Sequence, residues 1–366
     1  KLEIARPTNG LASTQSGKPD RRAQGGTIVM TDLHSTLRRA KGGIVGLAAV
    51  AALTFGSTMA LAADWDLPLA WPDGNFHVKN AKVFAAEVKK ATGGDININI
   101  HAGGSLGFKG PEMMTVLRDG LVPIGDFYLG QQVGEVPIMG LEGQPYLVDG
   151  IDGLKKLYKF WRPELDKKAK EYNMKILYQV PWPRQYVYTK VPVSSVADLK
   201  GIKIRTYSRS TTALFNKIGM TAVQLPWGEV VPSLAAGTID AVTTSASSGV
   251  DGKFWEFLKF MYPTSHVWGS NIVAVNLDAW NGLKPATRKA ILEVAARLEP
   301  TFWDVSRVEN ADKAKILNDN GVAMGKVSGA MMNDMQTMTS SILDDYIKET
   351  GPSAARVIKA FKAAGG

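Results

Sequence analysis

Asp198-Leu199-Lys200-Gly201-Ile202-Lys203-Ile204-Arg205-Thr206-Tyr207 reads as a turn, a short strand and a loop. Asp198 and Gly201 are turn formers. Ile202 and Ile204 alternate with Lys203 and Arg205, the period of a half-buried strand. Arg205 stands where that strand ends. In open α/β sheets, ligands bind beyond the carboxyl ends of strands. A guanidinium there offers a fork of donors matched to a carboxylate. The competing reading is a solvated surface arginine, the ordinary fate of a residue type this common in the chain.

Working outward, the chain keeps changing period. Upstream, Asp66 to Ala70 reads as a strand ended by Trp71-Pro72-Asp73-Gly74, a turn cluster. Ala81, Phe84, Ala85 and Val88 fall on one face of a helix over 78–92, stopped by Gly93-Gly94. Ile96, Ile98 and Ile100 alternate with Asn97 and Asn99 in a strand over 95–101. Pro111 opens another helix, and 121–124 reads as a strand followed by the loop Gly125-Asp126-Phe127-Tyr128. This β-α-β-α-β opening suggests a parallel sheet with helices on its faces. A helix over 153–170 and strands over 174–180 and 186–189 come next, the strands separated by Pro181-Trp182-Pro183-Arg184. Beyond the opening stretch, a helix over 211–218, a strand over 221–224, a helix over 229–236 and a strand over 241–244 continue the alternation. The apolar run 272–275 fits a strand buried on both faces. The last third is almost wholly helical: 285–318, interrupted or kinked at Pro300, then 331–349 and 354–363.

At 366 residues, 45% hydrophobic and 21% charged, the chain has room for two domains. It lacks cysteine, which removes disulfides, thiolate chemistry and Cys-based zinc sites. Net charge is +9. Residues 1–63 carry eight Lys and Arg against three acids, so the remainder holds a surplus of four, too mild to argue for nucleic acid. That N-terminal stretch has the parts of a secretory signal. Arg38, Arg39 and Lys41 precede an apolar run over 44–55, and Ala60-Leu61-Ala62 is a small-x-small cleavage site. The apolar run is short for a membrane span. The expectation is an upstream extension and signal over 1–63, and an exported protein not embedded in the membrane after processing.

Gly103-Gly104-Ser105-Leu106-Gly107 matches Gly-x-Ser-x-Gly after a strand, with His266 and Asp240 or Asp251 in the chain order of an α/β hydrolase. A glycine-rich turn is the simpler reading, because few strands precede Ser105 to flank a nucleophile. None of the four histidines belongs to a metal-binding spacing, and no phosphate-cradling loop occurs. What the sequence offers instead is aromatics and arginines in expected loops: Trp71, Phe108, Tyr128, Trp182, Arg184, Arg205, Trp227 and Trp268. Each aromatic alone could belong to a core; together at strand ends they suggest a small-molecule pocket.

From residue 64 onward the chain resembles the extracytoplasmic solute-binding proteins of tripartite ATP-independent periplasmic (TRAP) transporters. The likeness is carried by Phe84-Ala-Ala-Glu-Val-Lys-Lys-Ala-Thr-Gly-Gly94, Gly104-Ser-Leu-Gly107, Asp198-Leu-Lys-Gly-Ile-Lys-Ile-Arg205, Pro226-Trp-Gly-Glu-Val230 and Leu234-Ala-Ala-Gly-Thr-Ile-Asp240. The resemblance implies a two-domain α/β fold of the type II periplasmic-binding-protein kind, with a cleft between domains and a helical C-terminal third. Domain I would be 64–182 with 271–310, and domain II 183–270 with 311–366. It implies no enzymatic activity, no cofactor, and a periplasmic receptor that closes on a small carboxylate and delivers it to membrane permease subunits. By the same likeness Arg205 takes the carboxylate, Arg184 helps, Trp227 lines the cleft, and Trp71, Phe108 and Tyr128 line the first domain's side. After Asp240 the chain departs from its relatives: Thr243 and Thr244 stand where many hold a metal, and hydroxyls alone are poor metal ligands. That favours a metal-free site, and two arginines with several aromatics favour a monocarboxylate with an apolar or aromatic body, such as an aryl or indolyl acid.

Overall fold

The computed structural model describes residues 63–366; of the signal and upstream segment read over 1–63, residues 1–62 lie outside the described residues. Strand β1 (Ala63–Pro68) begins three residues earlier than its alternation suggests and pairs in parallel with β2 (Ile96–His101). Between them runs α1 (Phe76–Ala91), capped by Asn75, whose side chain accepts from the His77 N–H. Its buried face carries Ala81, Phe84, Ala85 and Val88, and it stops at Gly93 and Gly94, both in the left-handed region. After α2 (Met113–Arg118) comes β3 (Ile124–Tyr128), then α3 (Gly150–Glu171), β4 (Met174–Pro181) and β5 (Gln185–Thr189).

The quoted stretch forms β6 (Lys203–Thr206), as its alternation requires. It leads to α4 (Arg209–Lys217), β7 (Thr221–Gln224), α5 (Val230–Ala235), β8 (Ala241–Ser245), α6 (Ala246–Asp251) and β9 (Phe260–Tyr262). The chain then returns through β10 (Ser270–Asn276), α7 (Leu277–Asn281), α8 (Pro285–Asp319) and β11 (Ala323–Met324), and ends in α9 (Gly329–Thr339), α10 (Ser341–Thr350) and α11 (Pro352–Ala363).

Two lobes result. The first holds the β1-β2 pair and the sheet β3-β10-β4; the second is built on the six-stranded sheet β11-β9-β5-β8-β6-β7. Neither lobe has the all-parallel sheet suggested by the opening alternation. β10 runs antiparallel to both its neighbours, and β5 is antiparallel to β8 and β9. The reason is topological: β10 enters the first lobe from the second, so its direction is set by the crossing and not by a local β-α-β unit. The expected strand over 121–124 is displaced to β3, and Gly125-Asp126-Phe127-Tyr128 is strand rather than loop. Turn-forming Gly125 and Asp126 are overridden by pairing with Ala274 and Val273. Every residue of β3 and β10 is buried.

The chain crosses between sheets at 182–184 and again at 263–269. The crossings are bonded together, with Trp182 N donating to Gly269 O at 2.7 Å and Ser265 N to Gln185 O at 3.1 Å. Helix α8 spans both lobes. Its first half buries Ile291, Val294 and Phe302 over α1 and β4, and its second half buries Ala314 and Leu317 against α6. It runs 35 residues without interruption through Pro300, because packing on both sides of the proline holds the helix despite one missing N–H. The helix read over 331–349 breaks at Ser340 into α9 and α10. α9 packs on α4 of the second lobe, whereas α11 packs on α3 of the first.

Candidate functional site

Between the lobes lies a cavity, partly open to solvent, lined by residues of both lobes. Arg205 projects into it from the end of β6. Its neighbour Ile204 faces the core, so strand alternation sends residues 205 and 207 to the other side together. The guanidinium is buried, 3% exposed. Nε donates to the Leu225 carbonyl at 3.1 Å, and its carbon sits 5.5 Å from the centre of the Tyr207 ring. Among the described residues no carboxylate lies within salt-bridge distance of it. Burial lowers its pKa to about 10, which still leaves it charged at neutral pH. An unpaired buried cation is costly, and a bound anion would relieve that cost.

Around this charge the walls are aromatic. The Tyr207 hydroxyl donates to Gln185 Oε1 at 2.9 Å. Tyr128, at the end of β3, meets Tyr207 edge-on with ring centres 5.4 Å apart. It fits because residues 130 and 269 are glycine; a Cβ at either would collide with its ring. Trp71, after β1, lies 4.6 Å from Trp182 and 6.1 Å from Trp227, centre to centre. Thr244, Ser248 and Gln131 supply the remaining polar surface. Beneath Tyr128 and Tyr207, the buried Glu142 accepts from Ser270 N at 2.6 Å and from Ser270 Oγ at 2.7 Å. Its burial pushes its pKa up to about 8.

The cavity brings together Arg205, Trp227, Tyr128, Trp71 and Thr244 from the residues the sequence singled out. Three others stand elsewhere. Arg184 is exposed on a separate depression beside Trp268 and Arg307, because its successor Gln185 takes the inward orientation at the start of β5. Thr243 alternates away from Thr244, and its Oγ1 lies 2.8 Å from Nε2 of the buried His266. Phe108 packs against the core of the first lobe. The cavity also holds Trp182, one of the aromatics the sequence grouped as a candidate pocket, and Tyr207, Gln185, Gln131, Ser248 and Gly269, which sequence reading did not assign to the site. Tyr207 was within reach, since it shares the parity of Arg205.

The hydrolase arrangement does not form. Ser105 is exposed in a turn whose Gly103, Gly104 and Gly107 have φ of 67°, 69° and 83°. His266 is occupied by Thr243 and Thr264, Asp240 pairs with Lys190 at 2.7 Å, and Asp251 accepts from Asn75 at 2.6 Å. No group of three or more metal-ligating side chains occurs among the described residues.

Residues 69–350 match the model of the bacterial extracellular solute-binding protein family 7, DctP. The chain belongs to this family. Two solved structures from Bordetella pertussis share its fold over 82% of this chain and all of theirs. They are the extracytoplasmic solute receptors DctP6 (32% identity, TM-score 0.80) and DctP7 (29%, TM-score 0.80), both described as binding pyroglutamic acid. The 2,3-diketo-L-gulonate-binding periplasmic protein YiaO of Escherichia coli is 28% identical over 219 residues, 59% of this chain and 66% of that protein. This DctP-family chain is thus an extracytoplasmic solute receptor of the TRAP type, with the two-domain type II architecture, and not an enzyme. Among its described residues no helix is long and apolar enough to cross a membrane.

Proposed function

We propose that the protein is a periplasmic receptor, exported by the signal read over 30–63, that captures an organic acid and hands it to the membrane permease of a TRAP transporter. One observation carries this reading: Arg205 is a buried cation with no counter-ion among the described residues, facing a cavity. The acids named for DctP6, DctP7 and YiaO all bear or derive from a carboxylate, which supports the same assignment. The ligand's carboxylate sits on Arg205, and its body lies against the wall formed by Trp71, Trp182 and Trp227, with Tyr128 and Thr244 beside it. Pyroglutamic acid, named for DctP6 and DctP7 at 32% and 29% identity, makes a compact ring acid the first candidate ligand.

Capture is a hinge closure of 64–182 with 271–310 onto 183–270 with 311–366, α11 reaching back across to α3. Asn75 to Asp251 (2.6 Å) and Lys109 to Glu229 (2.9 Å) are contacts that closure makes across the cleft. Closure excludes water and strengthens the charged hydrogen bonds at Arg205. The test is calorimetric titration of the purified protein with pyroglutamate, alongside native mass spectrometry for a co-purified acid. Failure of every small carboxylate to bind would end this reading.

A further inference from the structure

The tryptophan wall is backed by a carboxylate. Asp126, on β3, is buried, and its Oδ1 accepts from Trp71 Nε1 at 3.2 Å and from Asn271 Nδ2 at 2.5 Å. Asn271 Oδ1 in turn accepts from Trp182 Nε1 at 2.7 Å. One side chain thereby orients two of the three indoles. Orientation alone does not need a charge, because an asparagine at 126 could accept the same two bonds. What the carboxylate adds is a field. Among the described residues no cation lies within salt-bridge distance of Asp126, and Arg205 is the cationic side chain in the cavity lining. The cavity therefore has a positive end and, behind Trp71, a negative wall. Donation of the indole N–H to a carboxylate also makes the ring more electron-rich, and its face repels anions.

A ligand with one carboxylate satisfies Arg205 and turns its uncharged end to the indoles. A second carboxylate would be driven against Trp71 and Asp126 in a medium that screens poorly. We propose that Asp126 is a specificity-determining residue that restricts the site to singly charged acids by repelling a second carboxylate through Trp71. This rests on the assignment of the ligand carboxylate to Arg205.

Burial pushes the pKa of Asp126 up to about 7, so the repulsion strengthens as pH rises through neutrality. The groups facing it are Tyr178 on β4, which burial keeps as a phenol, and the neutral Asn271 and Trp71. His77 on α1, beside Trp71, is held neutral, its pKa lowered by burial to about 3. Glu142, under Tyr128, ionises in a similar range, so variants are needed to assign the effect.

Pyroglutamate and the diacid 2-oxoglutarate are titrated calorimetrically at about pH 6 and pH 8.5 into the wild type, Asp126→Asn and Glu142→Gln. The ratio of the two dissociation constants should rise about tenfold or more with pH in the wild type, as like-charge contact predicts. Glu142→Gln should keep that rise. Asp126→Asn should lose it and bind 2-oxoglutarate about tenfold more tightly than the wild type at the higher pH, with pyroglutamate within about threefold. An unchanged ratio and pH rise in Asp126→Asn would overturn the role of Asp126 while leaving Arg205 untouched. Should that variant not fold, absence of the rise in both wild type and Glu142→Gln overturns it. Failure of both acids to bind the wild type would strike the Arg205 reading instead.

Discussion

Two arginines, Arg184 before β5 and Arg205 at the end of β6, look equivalent in sequence: each follows an apolar segment and stands at a strand end. Their surroundings differ completely. Arg205 is buried against Tyr207 with no counter-ion among the described residues, and Arg184 is exposed on another face. Strand parity separates them. Arg205 shares the inward side with Tyr207, whereas Arg184 cedes it to Gln185. The same rule splits the adjacent threonines, sending Thr244 to the cavity and Thr243 to His266. Residue type suggested chemistry at all four positions, but only the direction of the side chain decides which of them can touch a ligand.

That contrast is open to attack by substitution. Arg205→Ala should weaken binding of pyroglutamate by about 30-fold to several-thousand-fold in calorimetry, the cost of truncating one partner of a buried charged pair, about 2–5 kcal/mol. Thr243→Val should leave affinity nearly intact but lower folding stability by about 1–3 kcal/mol in urea titrations, because Nε2 of His266 loses its partner. An affinity loss with unchanged stability would reverse the parity assignment.

A pH series tests the floor of the cavity. In the fold the Glu142 carboxyl keeps its proton up to about 8, against an ordinary value of 4.5. A folded pKa raised above the unfolded one gives stability that is full below 4.5 and declines as pH rises towards 8. Between those values the contribution falls by up to about 1.4 kcal/mol per pH unit, and Glu142→Gln should flatten the slope. Equal slopes in both proteins would mean that Glu142 is ionised throughout. Thr244→Val should cost about two- to tenfold in affinity, the worth of a neutral hydrogen bond. Arg184→Ala should change affinity by no more than about twofold, as befits an exposed charge screened by water; a loss approaching that of Arg205→Ala would erase the distinction between the two arginines.

Much of the fold was legible wherever local period and tertiary environment agree. β7 occupies 221–224 as its pattern demands, and α1 buries the four residues that its spacing selects. β3 was not legible, because Gly125 and Asp126 carry turn chemistry and their partners lie some 150 residues away in β10. Asp126 tolerates strand and burial there only through Asn271 and Trp71, contacts that no window of sequence contains. At the site, the cation and three of its walls could be read from strand ends. Gln185 could not be placed, since the crossing segment with its two prolines has no period to count, and Trp182 was grouped with the pocket aromatics on residue type alone. For the same reason the direction of Arg184 could not be read.

The backbone bonds from Trp182 to Gly269 and from Ser265 to Gln185 join the two extended connectors, like two straps riveted together. Riveted straps still twist, but one cannot slip along the other. Under the closure proposed above, this favours movement about a single angle, which one pair of spin labels across the mouth would follow. In that closure Trp182, seated on the rivet itself, would stay at the axle while the rest of the jaw swings.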